Sequence, residues 1–135
     1  MKSSILFVDR DPGLAEAVRR TLTARGYPIH ACSDGLSCLR ILKDFCPTLL
    51  VLDSQILWGG SEGVLECLVT DFSLMPLMTV VTADEGASPV ADRLDPWVDL
   101  QITRPKSIDD LLPFVSQLET LAWWSLSPDL DTAPV

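Results

Sequence analysis

The chain has 135 residues, 47% of them apolar, with ten Lys and Arg against nineteen Asp and Glu for a formal charge of −9. That length suits one domain around a single core. The charge excludes phosphate-backbone binding as a main role, because nucleic-acid affinity comes from Lys and Arg releasing counterions.

Met1-Lys2-Ser3-Ser4 leads into Ile5-Leu6-Phe7-Val8 before charges begin. That apolar run is too short for a secretory signal, and no later run approaches a membrane span, so the chain reads as cytoplasmic with no membrane role. Ile5–Val8 is strand-like. Asp11-Pro12 then supplies an N-cap and a first-turn proline for a helix with Leu14, Val18 and Leu22 on one face, ended by Gly26. Tyr27–Cys32 is a weaker strand. A second helix is predicted from Asp34 to Phe45 with Leu36, Leu39 and Leu42 inward, stopped before Pro47.

Thr48–Leu52 is a third strand, apolar on both faces and ending at Asp53. Such a run fits a parallel sheet covered on both sides. Trp58-Gly59-Gly60 leads to a helix capped by Ser61 and burying Val64, Leu65, Leu68 and Phe72. Leu77–Val81 is a fourth strand ending at Thr82. Ala83–Pro96 is the weakest helical segment, broken by Gly86, Pro89 and Pro96. Val98–Ile102 is a fifth strand, followed by Arg104-Pro105. Ser107 with Asp110 forms a capping-box variant before a last helix using Ile108, Leu111, Leu112, Val115 and Leu118 and running to Trp124. Residues 1–124 form the domain and 125–135 a disordered tail.

The alternation implies a doubly wound α/β domain on a five-stranded parallel sheet of flavodoxin-like order 2-1-3-4-5. Ligands of such sheets bind beyond the carboxyl ends of the strands, where Asp9, Asp53, Thr82 and Arg104 converge. Two carboxylates, a hydroxyl and a cation at one edge suit phosphoryl chemistry. Cys32, Cys38, Cys46 and Cys67 show no metal-ligand spacing, and His30 is the only histidine, so zinc sites and His-dependent triads are excluded. Cys38 and Cys67 fall in apolar helical patterns and read as reduced and buried.

The spacing of Val8-Asp9, Leu52-Asp53, Val81-Thr82-Ala83 and Arg104-Pro105 resembles the CheY-like receiver domain of two-component response regulators, over roughly Ile5 to Leu121. The resemblance implies a non-enzymatic role in phosphorelay signal transduction, with Asp53 accepting a phosphoryl group from a sensor histidine kinase or phosphotransfer protein. Thr82 and Arg104 would bind the phosphoryl oxygens, and Mg²⁺ would sit on Asp9, Asp53 and Gln55. The sequence departs from the family where it matters for that chemistry. Arg10 replaces the second acidic residue after strand one, Arg104 replaces a lysine, Gln101 replaces the aromatic switch, and Ile56-Leu57 replaces Met-Pro.

A unit charge ~4 Å away is worth about 4 kcal/mol at an effective dielectric near 20, so Arg10 should weaken Mg²⁺ binding steeply. The expectation is that Arg10 pairs with Asp53, Asp9 or both as a fixed cation in the metal's place. The reading is therefore a degenerate, stand-alone receiver, in which either Asp53 is still phosphorylated, slowly, or the domain signals by partner binding alone. Trp97 with Trp123 or Trp124 are its candidate contacts, to a downstream protein or a second copy of the chain. The alternative is a haloacid-dehalogenase-type phosphohydrolase with Asp9 as nucleophile, Asp11 as general acid, Thr82 or Thr79 as the hydroxyl and Lys106 as the lysine.

Overall fold

Successive strand residues point to opposite faces, and the apolar ones divide accordingly into two clusters. Ile5, Phe7, Leu49, Val51 and Val80 pack on one side, and Leu6, Val8, Leu50, Leu52 and Val81 on the other. In a computed structural model, which describes residues 2–88, 90 and 94–126, these residues lie on β1 (Ile5–Val8), β3 (Leu49–Asp53) and β4 (Met78–Ala83), flanked by β2 (Ile29–Cys32) and β5 (Leu100–Thr103). The sheet is parallel throughout, in the order β2-β1-β3-β4-β5. The doubly wound expectation holds.

Helices α1 (Pro12–Ala24) and α4 (Leu111–Leu126) cover the first face, through Val18, Leu22, Phe114, Val115 and Leu118. Helices α2 (Gly35–Asp44) and α3 (Gly60–Thr70) cover the second, through Cys38, Leu42, Val64, Leu65 and Leu68. The two central strands β1 and β3 are wholly buried, which is why their sequences are continuous apolar runs. Burial of each such side chain is worth about 1.5–3 kcal/mol.

Several local expectations are corrected. Leu36 is exposed, because Gly35, Cys38 and Leu42 form the inner stripe of α2. Ser61 does not cap α3; Gly59, in the left-handed region at φ 86, occupies that place and Ser61 is buried as the second residue of the helix. Phe72 is exposed because α3 ends at Thr70 and Asp71 starts a separate 3-10 turn, its carboxylate accepting the Ser73 N–H at 3.1 Å. Cys67 is exposed, on the outer side of α3.

Between β4 and β5 the described residues contain only a 3-10 turn, Asp95–Trp97, and among the described residues there are four α-helices. The Ser107 side chain makes no cap; Asp110 takes the Lys106 N–H instead, at 3.1 Å. Ile108 and Leu112 are exposed. Helix α4 continues through Ser125 and Leu126, two residues into the expected tail, whose remainder lies outside the described residues. Ser125 is buried and bonded to the Ala122 carbonyl at 2.6 Å and the Ser3 hydroxyl at 3.2 Å, which fastens the helix end to the chain start. Among the described residues no helix is long and apolar enough to cross a membrane.

Candidate functional site

Strand parity and register assemble the acidic edge. Val8 pairs with Leu52, which sets Asp9 beside Asp53 one residue on; Asp53 pairs with Thr82, and Thr82 with Ile102, two residues before Arg104. All four share the parity of the face covered by α1 and α4. The chain beyond β5 is anchored by the Arg104 N–H, which donates to the Ala83 carbonyl at 2.8 Å. The four residues singled out at the strand ends are thus brought together.

Two arginines divide the carboxylates between them. Arg10 donates from Nε to Asp53 Oδ2 and from Nη2 to Asp53 Oδ1, each at 2.8 Å, and its backbone N–H reaches Oδ2 at 2.9 Å. Arg104 donates from Nε to Asp9 Oδ1 and from Nη2 to Asp9 Oδ2, each at 2.8 Å, with its Nε also 3.6 Å from Asp53 Oδ2. The third corner of each guanidinium goes to Asp84: Nη1 of Arg10 at 3.0 Å and Nη1 of Arg104 at 3.3 Å. Asp9 and Asp53 are fully buried and Asp84 is exposed. Arg10 therefore pairs with Asp53 and Asp84, and Asp9 belongs to Arg104. Asp84 was not among the sequence candidates; its signal is an acidic residue two positions past Thr82, just outside the strand.

Bidentate charge-assisted pairs are the strong class of hydrogen bond. Burial pushes the Asp53 carboxyl up, but the Arg10 side chain, the backbone N–H groups of Gln55 and Arg10 and the Arg10 charge outweigh it and hold it below its ordinary value. The Asp53 hydrogen bonds in turn raise Arg10, against burial. Arg104 is raised first by its hydrogen bonds to Asp9. Asp84 is lowered, first by Arg10 and then, against slight burial, by Arg104. Three carboxylates and two guanidiniums leave the group with one net negative charge.

A divalent cation does not fit this donor set. A carboxylate offers about four lone-pair sites, and Asp53 spends four: Nη2 of Arg10 and the Gln55 N–H at 3.0 Å on Oδ1, Nε and the N–H of Arg10 on Oδ2. Asp9 accepts both Arg104 donors and the Asp11 N–H at 2.9 Å. Asp11 offers no substitute ligand, since its side chain caps α1 through the Gly13 N–H at 2.8 Å and the Leu14 N–H at 3.4 Å. Among the described residues no cluster of His, Cys, Asp and Glu is arranged to hold a metal.

Thr82 is buried beside Asp53, and its hydroxyl has no hydrogen-bond partner; the Ser54 hydroxyl is in the same condition. The phosphohydrolase constellation is not brought together. Asp11 is a helix cap, Asp9 is clamped, Thr79 has the opposite parity from Thr82, and Lys106 pairs with Glu85 on the surface at 2.5 Å. The tryptophans do not share one face either. Trp97 packs with the α2–α3 cluster and against Phe72 at 5.5 Å, whereas Trp124 packs with the α1–α4 cluster and Trp123 is exposed beside Lys2 and Tyr27. Gln101 is exposed on β5, Ile56 is buried and Leu57 exposed. His30 is exposed, edge-on to Phe45 at 4.5 Å.

No family model matches the sequence. Among curated proteins it is similar to response regulator MprA of Mycobacterium ulcerans (strain Agy99), 30% identical over 114 residues, which cover 83% of this chain and 48% of that protein. The chain spans about half the length of the curated relatives it matches. Among solved structures it resembles a CheY-like response regulator receiver domain protein from Methanospirillum hungatei JF-1 (TM-score 0.72, 20% identity, 91% of this chain and 98% of that one). It also resembles the phosphorylated cyanobacterial phytochrome response regulator RcpA (TM-score 0.71, 17% identity, the whole of both chains).

Proposed function

We propose that this chain, a receiver domain of the response-regulator type, signals through protein contacts in a state set by an internal arginine clamp rather than by Mg²⁺ and phosphorylation. The observation that carries this reading is the Arg10–Asp53 pair, with Nε and Nη2 each 2.8 Å from a carboxylate oxygen of the acceptor position. For Asp53 to attack a phosphodonor, it would first have to shed a bidentate arginine from a buried site. Breaking such a pair costs several kcal/mol when one partner is left without compensation. Its partners would be a histidine kinase or phosphotransfer protein that docks without transferring a group, or a downstream protein.

The clamp resembles a charge-neutralised site in permanent form. The cation that a metal would supply is carried by the chain itself, tethered to the carboxylate it neutralises. Asp84 closes the outer side by bridging the two guanidiniums. With its carboxylates already satisfied, the edge has no electrostatic reason to rearrange when the Mg²⁺ concentration changes.

A second reading, slow phosphorylation of Asp53, has one observation in its favour: the buried, unpartnered Thr82 hydroxyl beside the acceptor. Intact mass after incubation with a small phosphodonor and Mg²⁺ separates the two. The clamp reading expects no Asp53-dependent gain of a phosphoryl group in the wild-type chain, and a gain in Arg10→Asp that Asp53→Ala removes. A wild-type gain abolished by Asp53→Ala would replace the first reading by the second.

A further inference from the structure

Away from the acidic edge, α2 and α3 enclose an open cleft of about 620 Å³. Its floor is apolar: Leu39 and Leu74 pack on the core below, and Leu36 is 43% exposed at one end. Its rims carry opposite charges, Arg40 and Lys43 from α2 on one side, Glu66 and Asp71 from and just past α3 on the other. Arg40 and Lys43 enter no ion pair among the described residues, although Arg10, Arg19, Arg20, Arg25, Arg104 and Lys106 each do. In a chain of net charge −9, two cations outside the ion pairs of the described residues, beside an exposed leucine and an open apolar floor, point to a surface made for a partner.

We propose that the occupant of this cleft is a second copy of the same chain, docked across a two-fold axis through the middle of the groove. A two-fold interface lays a patch on the identical patch of its partner, so residue i meets j while j meets i. A rim of single sign would repel its own copy, as like charges set against each other do. This patch is complementary to itself: the rotation brings Arg40 and Lys43 against Glu66 and Asp71 of the second copy, and the reverse, while the leucine floors close on each other. The docked face lies on the opposite side of the sheet from α1 and α4, so the dimer is independent of the arginine clamp. Cys67, an exposed free thiol on the α3 side, would then be covered by the α2 rim of the second copy and report the contact.

Sedimentation velocity on the full chain tests this. The wild type should show a concentration-dependent monomer–dimer equilibrium. Arg40→Glu with Lys43→Glu should be monomeric, as should Glu66→Lys with Asp71→Lys. An equimolar mixture of the two double variants should recover the dimer, because each supplies the charge the other has reversed. Cys67 should react with a maleimide more slowly in the wild type at dimer-forming concentration than in the Arg40/Lys43 double variant, with Cys46, outside the cleft, reacting equally in both. Circular dichroism checks that each variant folds; if the Asp71 variant does not, the Arg40/Lys43 variant and the Cys67 reactivity decide alone. A wild type that stays monomeric, or a dimer that survives the Arg40/Lys43 reversal, overturns the proposal.

Discussion

Arg10 holds Asp53 by three donors at once, two from its guanidinium at 2.8 Å and one from its own backbone N–H at 2.9 Å. The backbone donor fixes the residue that carries the charge, so side chain and main chain of one arginine converge on one buried carboxylate. This is a closed arrangement. It satisfies the group that the fold would otherwise leave buried and charged at the carboxyl edge of the sheet.

Replacing Arg10 by Gln therefore leaves Asp53 buried with little compensation. The expected loss is about 2–4 kcal/mol at pH 7 by urea unfolding, below the full value for a buried pair because the arginine side chain is 30% exposed. The pH dependence carries the sign. In the wild type the depressed Asp53 contributes stability that is present above the unfolded value near 3.9 and is lost as pH falls through the folded one. In Arg10→Gln burial is no longer outweighed, the carboxyl rises, and its contribution is lost as pH rises instead. The gap between the two proteins should be widest at pH 7 and narrow as pH approaches 4. A gap that stays constant over that range would mean Asp53 is not the group that Arg10 serves.

Mg²⁺ should not register at this site in the wild-type chain. Trp58 is 71% exposed, five residues past Asp53, and serves as the reporter. Titration to millimolar Mg²⁺ is expected to leave its fluorescence flat. Arg10→Asp, which converts a cation into a carboxylate and frees Asp53, should show a saturable change that Trp58→Phe removes. A saturable wild-type response would contradict the lone-pair accounting for Asp53.

The strands were legible because β1 and β3 are buried on both faces, and only continuous apolar runs satisfy that. Their polar terminators, Asp9 and Asp53, are just as buried, and they end the apolar runs because each carboxylate has an arginine to pair with. The pairing partner of Arg10 was half legible. Charge alone could not choose between Asp9 and Asp53; the choice follows from Arg104, which reaches across from β5 and occupies both Asp9 oxygens. Asp84 escaped notice because it sits on an exposed turn with no periodicity to mark it. Ser61 misled for a related reason: a serine before an apolar run is a good cap signal, but Gly59 and Gly60, both at positive φ, had already turned the chain into α3. Phe72 misled because the apolar spacing of α3 continues past Asp71, whose side chain ends the helix by starting another turn.

Arg104→Lys tests whether the second clamp needs its fork. A lysine keeps the charge but offers a compact ammonium, which cannot span both Asp9 oxygens while reaching Asp84. Loss of one charge-assisted bond and the Asp84 bridge should cost about 1–2 kcal/mol. For a domain of this size that is a fall of about 3–8 °C in Tm. An unchanged Tm would show that the charge of Arg104 matters and its geometry does not.

Trp58 stores strain in the loop that follows the site. It is the non-glycine residue at positive φ among the described residues, at 69°, a region that costs an ordinary L-residue about 1–2 kcal/mol. Its side chain is mostly exposed and so returns little through burial. Asn tolerates the left-handed region, whereas a β-branched residue does not. Trp58→Asn should therefore raise stability by about 0.5–1 kcal/mol, and Trp58→Val should lower it by about 1 kcal/mol or more. Both should appear as shifts in the urea midpoint at unchanged slope. The order Asn above Trp above Val is the diagnostic. If Asn is the less stable instead, the indole is held by contacts worth more than the strain, and the loop is built around its side chain. The Ser54 N–H to Thr82 carbonyl bond at 2.8 Å ties the loop to β4 before Trp58 is reached, so neither substitution should alter phosphodonor reactivity at Asp53.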